Sequence, residues 1–345
     1  MSFEVIMTAP RLAAPAVAVL EAAGCTIHYM PPYPSSDAVA ALTRDVQAHA
    51  ILTRQGPVTA AAMAASARLR IVARHGVGVD DVDLDAARAR GIVVARAPGS
   101  NTRAVAEHSM AMILAMAKDL SALGETIAAG NWRGATTKVR DIHGMRLGLL
   151  GFGAIGQHVA MLAQAFGMQV MALGRPGTVP PATVTPAPDL AALLRHSEVL
   201  SIHCPYGPST HHVIDAAALA AMPAGSFLVN TARGGLVDEA ALAAALDSGH
   251  IAGAALDVFE IEPPPPQYGL RRHPRVLATP HVSGVTDGSL VSMGVMAAEC
   301  IAACLTGQTV PAERVVVGAR ALPSQREAVP RAEPPVPYAF RFQLK

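Results

Sequence analysis

The sequence has little of what would mark several other classes of protein. Only 15% of its 345 residues are charged, and 27 lysines and arginines are balanced by 26 aspartates and glutamates. The resulting formal net charge of +1 argues against a nucleic-acid-binding protein that relies on a basic face. The 51% of hydrophobic residues excludes wholesale disorder, because disordered chains are poor in apolar residues and rich in charge.

Cysteine is scarce as well. The four cysteines, Cys25, Cys204, Cys300 and Cys304, contain no CxxC pair, so we expect no disulfide scaffold and no metal site. Cys300 and Cys304 lie four residues apart on a predicted helix, a spacing compatible with a metal or redox pair. We favour the simpler interpretation, two small apolar side chains on a packed face.

Long apolar runs are also missing. No uninterrupted run approaches the roughly 20 residues that span a bilayer. The N-terminal segment carries the acidic Glu4 and has no basic stretch before an apolar one, so no signal peptide is predicted. We therefore expect a cytoplasmic protein without a membrane partner, and its length predicts two domains.

The chain does contain a regular alternation of short β-rich runs and helical stretches, which predicts right-handed βαβ units and parallel sheets. In the first hundred residues the predicted strands are 3–7, 26–29, 50–53, 69–73 and 92–95, and the predicted helices are 12–23, 37–47, 60–67 and 84–90. In the second block the predicted strands are 146–150, 169–173, 199–203, 226–230, 253–256 and 276–278, and the predicted helices are 154–166, 190–194, 216–221, 239–248 and 288–305.

Two segments lie outside this alternation. The stretch 104–120 predicts a helix that is apolar on most of its circumference, and it is either a core element or a subunit interface. The stretch 321–345 contains five prolines and predicts an extended tail outside the compact domains.

A glycine-rich loop separates one predicted strand from the next predicted helix. Its motif is GFGAIG, with Gly151, Gly153 and Gly156 at the three motif positions. The first glycine allows a tight turn, the second lets a pyrophosphate approach the backbone, and the third permits close helix–strand packing. In this strand–turn–helix context the motif predicts binding of a dinucleotide at the positive end of the helix.

The end of the second strand in this block indicates which dinucleotide is preferred. Enzymes that use NAD have an acidic residue there, which binds the ribose 2′-hydroxyl. Here that position holds Gly174 followed by Arg175, so no carboxylate repels a 2′-phosphate and a guanidinium can bind one. We therefore favour NADP(H) over NAD(H). The alternative is that Arg175 only stacks on adenine and that both cofactors are accepted.

Three polar segments each follow a predicted strand, at 230–239, 255–263 and 279–281. Open α/β sheets bind their ligands at these carboxyl ends. The segments supply Arg233, Glu262 and His281, a set suited to reduction of a 2-oxo acid. The arginine would hold the substrate carboxylate, the histidine would shuttle a proton, and the glutamate would orient the histidine and favour its charged form.

Together with HGVGVDDVDLDAARARGIVV (75–94) and PGSNTRAVAEH (98–108), these segments resemble the D-isomer-specific 2-hydroxyacid dehydrogenase family. This family includes phosphoglycerate dehydrogenase and the glyoxylate/hydroxypyruvate reductases, and the resemblance covers about residues 50–310. It implies that Arg233, Glu262 and His281 are catalytic.

The resemblance also implies ligand contacts. The loop Gly76, Val77 and Gly78, together with Arg233, would bind the substrate carboxylate. The positions that the motif and the resemblance assign to the cofactor are Val105, Gly151, Gly153, Ile155, Gly156, Gly174, Arg175, Cys204, Pro205, Thr210, Thr231, Ala232, Asp257 and His281.

The implied architecture is α/β with two doubly wound parallel-sheet domains. A Rossmann cofactor domain, 101–283, is inserted into a flavodoxin-like substrate domain made of 1–100 and 284–320, with the proline-rich tail 321–345 following. The resemblance implies a homodimer built on the cofactor domain, which favours the interface interpretation of 104–120.

The substrate is the least determined feature. We favour an NADPH-dependent glyoxylate/hydroxypyruvate reductase. The alternative is a phosphoglycerate dehydrogenase-like enzyme, in which Arg54, Arg74 and His75 bind a phosphate or second carboxylate of the substrate. The other interpretation of these three residues is that they are solvated surface charges with no role in substrate binding. Two other proteins share the fold, a dinucleotide-sensing corepressor and formate dehydrogenase. The filled catalytic positions argue against the first, and Thr279-Pro280 beside the histidine argues against the second.

Overall fold

The computed structural model describes residues 2–134 and 137–318, so the predicted tail at 321–345 lies outside the described residues. The first block of the chain forms, in order, β1 (Phe3–Met7), α1 (Ala14–Ala22), β2 (Cys25–Tyr29), α2 (Ser36–Asp45), β3 (Ala50–Thr53), α3 (Ala60–Ala64), β4 (Ile71–Arg74), α4 (Leu84–Arg90) and β5 (Val93–Ala95).

The second block is longer. It forms α5 (Thr102–Ala117), α6 (Leu120–Ala128), β6 (Arg146–Leu150), α7 (Ala154–Ala165), β7 (Gln169–Leu173), β8 (Thr185–Pro186), α8 (Leu190–His196), β9 (Val199–Ile202), α9 (Ala216–Ala221), β10 (Ser226–Asn230), α10 (Glu239–Asp247), β11 (Ile251–Leu256), β12 (Val276–Ala278), α11 (Asp287–Leu305) and β13 (Val315–Val317).

These strands form two sheets, which confirms the predicted α/β class. The first has the order β13-β5-β4-β3-β1-β2, and the second the order β12-β11-β10-β9-β6-β7-β8. All pairings are parallel except that of β13 with β5, an antiparallel edge that the sequence did not predict. In the second sheet the winding reverses between β6 and β9, which opens the crevice where such sheets bind ligands.

The predicted helix at 104–120 ends earlier in the structure and is followed by a second helix, α6, that the sequence did not predict. α5 ends at Ala117, and the chain turns at Asp119, whose φ of 49° is left-handed. α5 buries nine residues and packs against α7, β10 and β11, so most of its apolar surface is core. α6 buries none of its residues within the chain, and its apolar residues Leu120 and Ile127 are exposed. The exposed apolar side chains of this region therefore belong to α6, whereas α5 is mostly core.

α11 returns the chain to the first sheet, where it packs against α1, β3 and β4. By length and composition alone it would suffice to cross a membrane, but 44% of its most apolar stretch is buried inside the protein. Its Cys300 is fully buried in the core and Cys304 packs beside it, and both thiols are free. These contacts favour the packing interpretation of the two cysteines.

Candidate active site

His281 and Glu262 form the centre of the site. His281 follows β12, and its Nδ1 lies 2.6 Å from Glu262 Oε2 in the loop after β11. The second carboxylate oxygen of Glu262 accepts from the backbone N–H of Phe259 at 3.1 Å, which holds the acid in place. Because a carboxylate accepts, the proton of this bond lies on Nδ1, and Nε2 is left for proton transfer.

Beneath this pair lies a buried carboxylate. Asp257 is fully buried, and its oxygens accept from Thr279 Oγ1 at 2.6 Å, from Val282 N at 2.8 Å and from Ser283 N at 2.9 Å. Its carbonyl accepts from the backbone N–H of His281 at 2.8 Å. Asp257, predicted as a cofactor contact, holds the loop that carries His281, a role that the sequence did not reveal.

Arg233 faces the predicted substrate loop. Its Nε donates to Asp80 Oδ2 at 2.6 Å, and its Nη1 donates to the carbonyl of Ala232 at 2.6 Å. A Cβ added to Gly78 would lie 1.5 Å from Nη2, so only glycine permits this approach. The structure thus brings together the two elements predicted to bind the substrate carboxylate, Arg233 and the loop Gly76–Val77–Gly78.

The three residues considered for a second anion, Arg54, Arg74 and His75, differ in how far they are buried. Arg74 is largely buried, with 16% of its side chain exposed, and its Nη1 donates to Asp81 Oδ2 at 2.6 Å and to the carbonyl of Arg54 at 3.1 Å. His75 is also buried, and burial followed by the charge of Arg54 lowers its pKa to about 4. Interpreting Arg74 and His75 as solvated surface charges is therefore wrong. Arg54 is half-buried, and burial lowers its pKa.

The glycine loop fits a dinucleotide. Gly151 has a φ of 104°, and a Cβ there would lie 2.4 Å from Cys204 N; at Gly156 it would lie 2.3 Å from Gly151 O. At Gly153 nothing lies within 4 Å, and this residue begins α7 without a side-chain cap. An open backbone at an uncapped helix start suits a pyrophosphate.

At the turn after β7, any side chain at position 174, an acidic one included, would collide with Thr178. A Cβ at Gly174 would lie 2.8 Å from Thr178 Cβ, so an aspartate would require Thr178 to move. Arg175 is exposed beside it. The absence of an acid noted in the sequence is therefore built into the packing of this turn.

The other predicted cofactor positions border the same crevice. Burial raises the pKa of the Cys204 thiol to about 11, so it remains neutral beside the glycine loop. Thr210 Oγ1 donates to the carbonyl of Pro205 at 2.9 Å, which shapes the loop after β9. Ile155 is half-buried in the first turn of α7.

α5 forms the opposite wall. Val105 is buried on it, and Ser109 Oγ lies 2.9 Å from Thr231 Oγ1. His108 Nε2 lies 3.1 Å from Thr279 Oγ1, which is itself bonded to the buried Asp257. His108 was missed as a site residue, although it ends one of the segments that carry the family resemblance.

Comparison with known proteins agrees with this geometry. Residues 110–283 match the family model for the NAD binding domain of D-isomer specific 2-hydroxyacid dehydrogenase. D-3-phosphoglycerate dehydrogenase of Mycobacterium tuberculosis is 40% identical over 271 residues, which are 77% of this chain and 51% of that protein. The chain thus spans about half the length of this relative.

Two further relatives match over most of their length. Hydroxypyruvate reductase of Thermotoga maritima is 38% identical over 250 residues, 71% of this chain and 80% of that protein. The crystal structure of the TT0316 protein from Thermus thermophilus superposes with a TM-score of 0.83 and 34% identity, covering 91% of this chain and all of that one. The chain therefore belongs to the D-isomer specific 2-hydroxyacid dehydrogenase family.

Proposed function

We propose that this protein is an NAD(P)-dependent dehydrogenase that interconverts a 2-oxo acid and a D-2-hydroxy acid. The observation that carries the proposal is the 2.6 Å bond between His281 Nδ1 and Glu262 Oε2, placed at the same crevice as Arg233 and the substrate loop. An acid–base pair next to a carboxylate-binding arginine is what reduction of a 2-oxo acid requires.

The chain's own groups have distinct tasks in this reaction. The guanidinium of Arg233 and the backbone N–H groups of Gly76, Val77 and Gly78 hold the substrate carboxylate. His281 gives a proton to the carbonyl oxygen, and takes it back in the oxidative direction. Glu262 stabilises the charged imidazole and fixes its tautomer. The bound nicotinamide supplies the hydride and accepts it in reverse.

We propose NADP(H) as the preferred cofactor, with NAD(H) as the second choice. The phosphates would lie at Gly151, Gly153 and the start of α7. Support for the preference comes from Gly174, where Thr178 opposes an acidic side chain, and from the exposed guanidinium of Arg175 next to it.

For the substrate we propose glyoxylate or hydroxypyruvate. One observation favours the second candidate, a substrate with an additional anionic group such as a phosphoglycerate. Arg54 is half-buried beside the substrate loop, near the buried Arg74. Burying a guanidinium is costly without an anion, so an anionic substrate group would offset that cost.

The decisive experiment is a panel of 2-oxo acids assayed with NADPH and with NADH. The panel contains glyoxylate, hydroxypyruvate, phosphohydroxypyruvate and pyruvate. We expect turnover of at least one acid, faster with NADPH. A gain of about 10-fold for phosphohydroxypyruvate over hydroxypyruvate, lost in Arg54→Ala, would establish the second candidate. No turnover of any acid would refute the dehydrogenase proposal and favour a dinucleotide-binding protein.

We further propose a homodimer and the domain boundaries 1–100 with 284–320, and 101–283. Support for the dimer comes from the exposed apolar side chains of α6 and the segment after it, Leu120, Ile127 and Trp132. Sedimentation of the wild type and of Ile127→Asp tests this surface. A wild-type monomer at micromolar concentration would contradict it.

A cytoplasmic location is also our proposal. Its support is that all four cysteines are free thiols, as in a reducing compartment. Cell fractionation with antibody detection would test it.

A further inference from the structure

A single ion pair connects the two halves of the molecule, and it lies inside the proposed active site. Asp80 follows the substrate loop of the first sheet, and its Oδ2 lies 2.6 Å from Arg233 Nε on the second. Among the ion pairs within 2–134 and 137–318, it is the only one between residues 2–100 and residues 101–283.

Two bonds fix the direction of the Arg233 side chain. Nε donates to Asp80, and Nη1 donates to the carbonyl of Ala232. Because the guanidinium is a rigid planar fork, fixing these two nitrogens also fixes Nη2. Nη2 is then aimed at the backbone of Gly78, where the substrate carboxylate is expected.

The neighbouring carboxylate has a different partner. Asp81 Oδ2 accepts from Arg74 Nη1 at 2.6 Å, within the first sheet. Burial raises the pKa of Asp81, and the charge of Arg74 opposes this rise. Two adjacent aspartates thus point in different directions, one holding the substrate loop to its own sheet and the other crossing the cleft.

We propose that Asp80 is the positioning residue of Arg233. It turns the guanidinium toward the substrate carboxylate, and the same bond couples the seating of the substrate loop to the second half of the molecule. Asp80 itself does not touch the substrate. The inference rests on the proposed function, since it assigns Arg233 the task of holding a 2-oxo acid.

The test compares Asp80→Ala and Asp80→Asn, with Asp85→Asn as the matched control. Asp85 is exposed and pairs only with Arg88 on its own helix. We expect Asp80→Ala to raise KM for the 2-oxo acid roughly 10- to 100-fold, the usual loss for a charged hydrogen bond. KM for the dinucleotide should not change. Asp80→Asn should lie between, because its amide oxygen still accepts from Nε, and Asp85→Asn should match the wild type.

A double mutant isolates the route of the effect. In an Arg233→Gln background, Asp80→Ala should cause little further loss, because Asp80 acts only through Arg233. Full additivity, or a lower melting temperature with unchanged KM, would overturn the inference.

A crystal structure of the Asp80→Ala holoenzyme supplies a readout that needs no turnover. We expect the Arg233 side chain to leave its wild-type position. An unmoved Arg233 would overturn the inference even in an active enzyme, whereas a wild type that reduces no 2-oxo acid would refute the proposed function alone.

Discussion

The carboxyl ends of the two sheets carry the same three kinds of side chain, an arginine, an acid and a histidine, with different partners and different exposure. On the first sheet, the side chains of Arg74 and Asp81 are paired and are 16% and 27% exposed, and His75 is buried. On the second, the side chains of Arg233, Glu262 and His281 are 31%, 34% and 45% exposed. An arginine, an acid and a histidine therefore do not mark a reactive site by themselves. The two sets differ most in their histidines, since His75 is buried and the His281 side chain is 45% exposed.

The difference arises from position along the strands. Arg74 is the last residue of β4, and its side chain bonds within the first sheet, to Asp81 and to the carbonyl of Arg54. Arg233 comes three residues after the end of β10, on a turn that leads into the cleft. The first set supports a loop, and the second can reach a substrate.

The largest expected effect is on the exposed set. His281→Ala should lower kcat by roughly 1000-fold, because a general acid–base contributes about 100- to 10,000-fold. The melting temperature should stay near that of the wild type, since the side chain is half-exposed. Steady-state kinetics and thermal unfolding measure both. His28→Ala, whose ring pairs with Glu4 between β1 and β2, is the control and should keep full activity. Equal kcat values in His281→Ala and His28→Ala would show that His281 is not the general acid–base.

A mutation of Arg74 tests the set of side chains on the first sheet. Arg74→Met should lower the free energy of unfolding by about 1–3 kcal/mol, because it leaves the largely buried Asp81 carboxylate without its partner. Urea denaturation measures the loss. Arg233→Met is the matched variant, and it should lose turnover while unfolding at the wild-type urea concentration. If Arg74→Met is as stable as the wild type, the supporting role of the first set is wrong.

Because His75 is buried, the stability of the protein should depend on pH. Its pKa is about 4 in the folded protein and 6.5 when unfolded, so between these values the unfolded state binds the additional proton. Stability should therefore be complete above about pH 6.5 and fall as the pH approaches about 4, by at most about 3 kcal/mol. Denaturant unfolding across this range tests the sign, and His75→Gln should flatten the curve. An equal fall in that variant would assign the effect to other groups.

The smallest effect is expected at the turn after β7 in the second sheet. Arg175→Ala should lower the ratio of kcat/KM for NADPH to that for NADH by about tenfold, the usual value of one charged hydrogen bond. Gly174→Asp should shift the preference toward NADH only when Thr178→Gly makes room for it. A wild-type preference for NADH would contradict the cofactor proposal.

Much of the fold followed from local sequence patterns. The strands at Phe3–Met7, Arg146–Leu150 and Ser226–Asn230 have the predicted bounds, because each is a short, largely buried run next to a clear turn. β13 was missed because its partner β5 lies far earlier in the chain. α6 was missed because the predicted helix at 104–120 stops at its first residue, and its apolar residues are left uncovered by the chain itself.

The site was predictable where one segment carries the chemistry. Arg233, Glu262 and His281 each follow a strand of the second sheet, and the structure joins His281 to Glu262 by a 2.6 Å hydrogen bond. Asp80 was not predicted, because its partner lies 153 positions away and only the folded chain joins them. The burial of Arg74 was missed for a related reason, since a charged residue at a strand end gives no sign of what covers it.

The two stretches of chain that pass between the halves touch each other. Asn101 precedes α5 and Gly284 precedes α11, and a Cβ on Gly284 would lie 2.7 Å from Asn101 Nδ2. The segment between them thus begins and ends at one point. We therefore expect that this segment could be excised and closed on itself, and that the remaining half could be rejoined by a linker of a few residues.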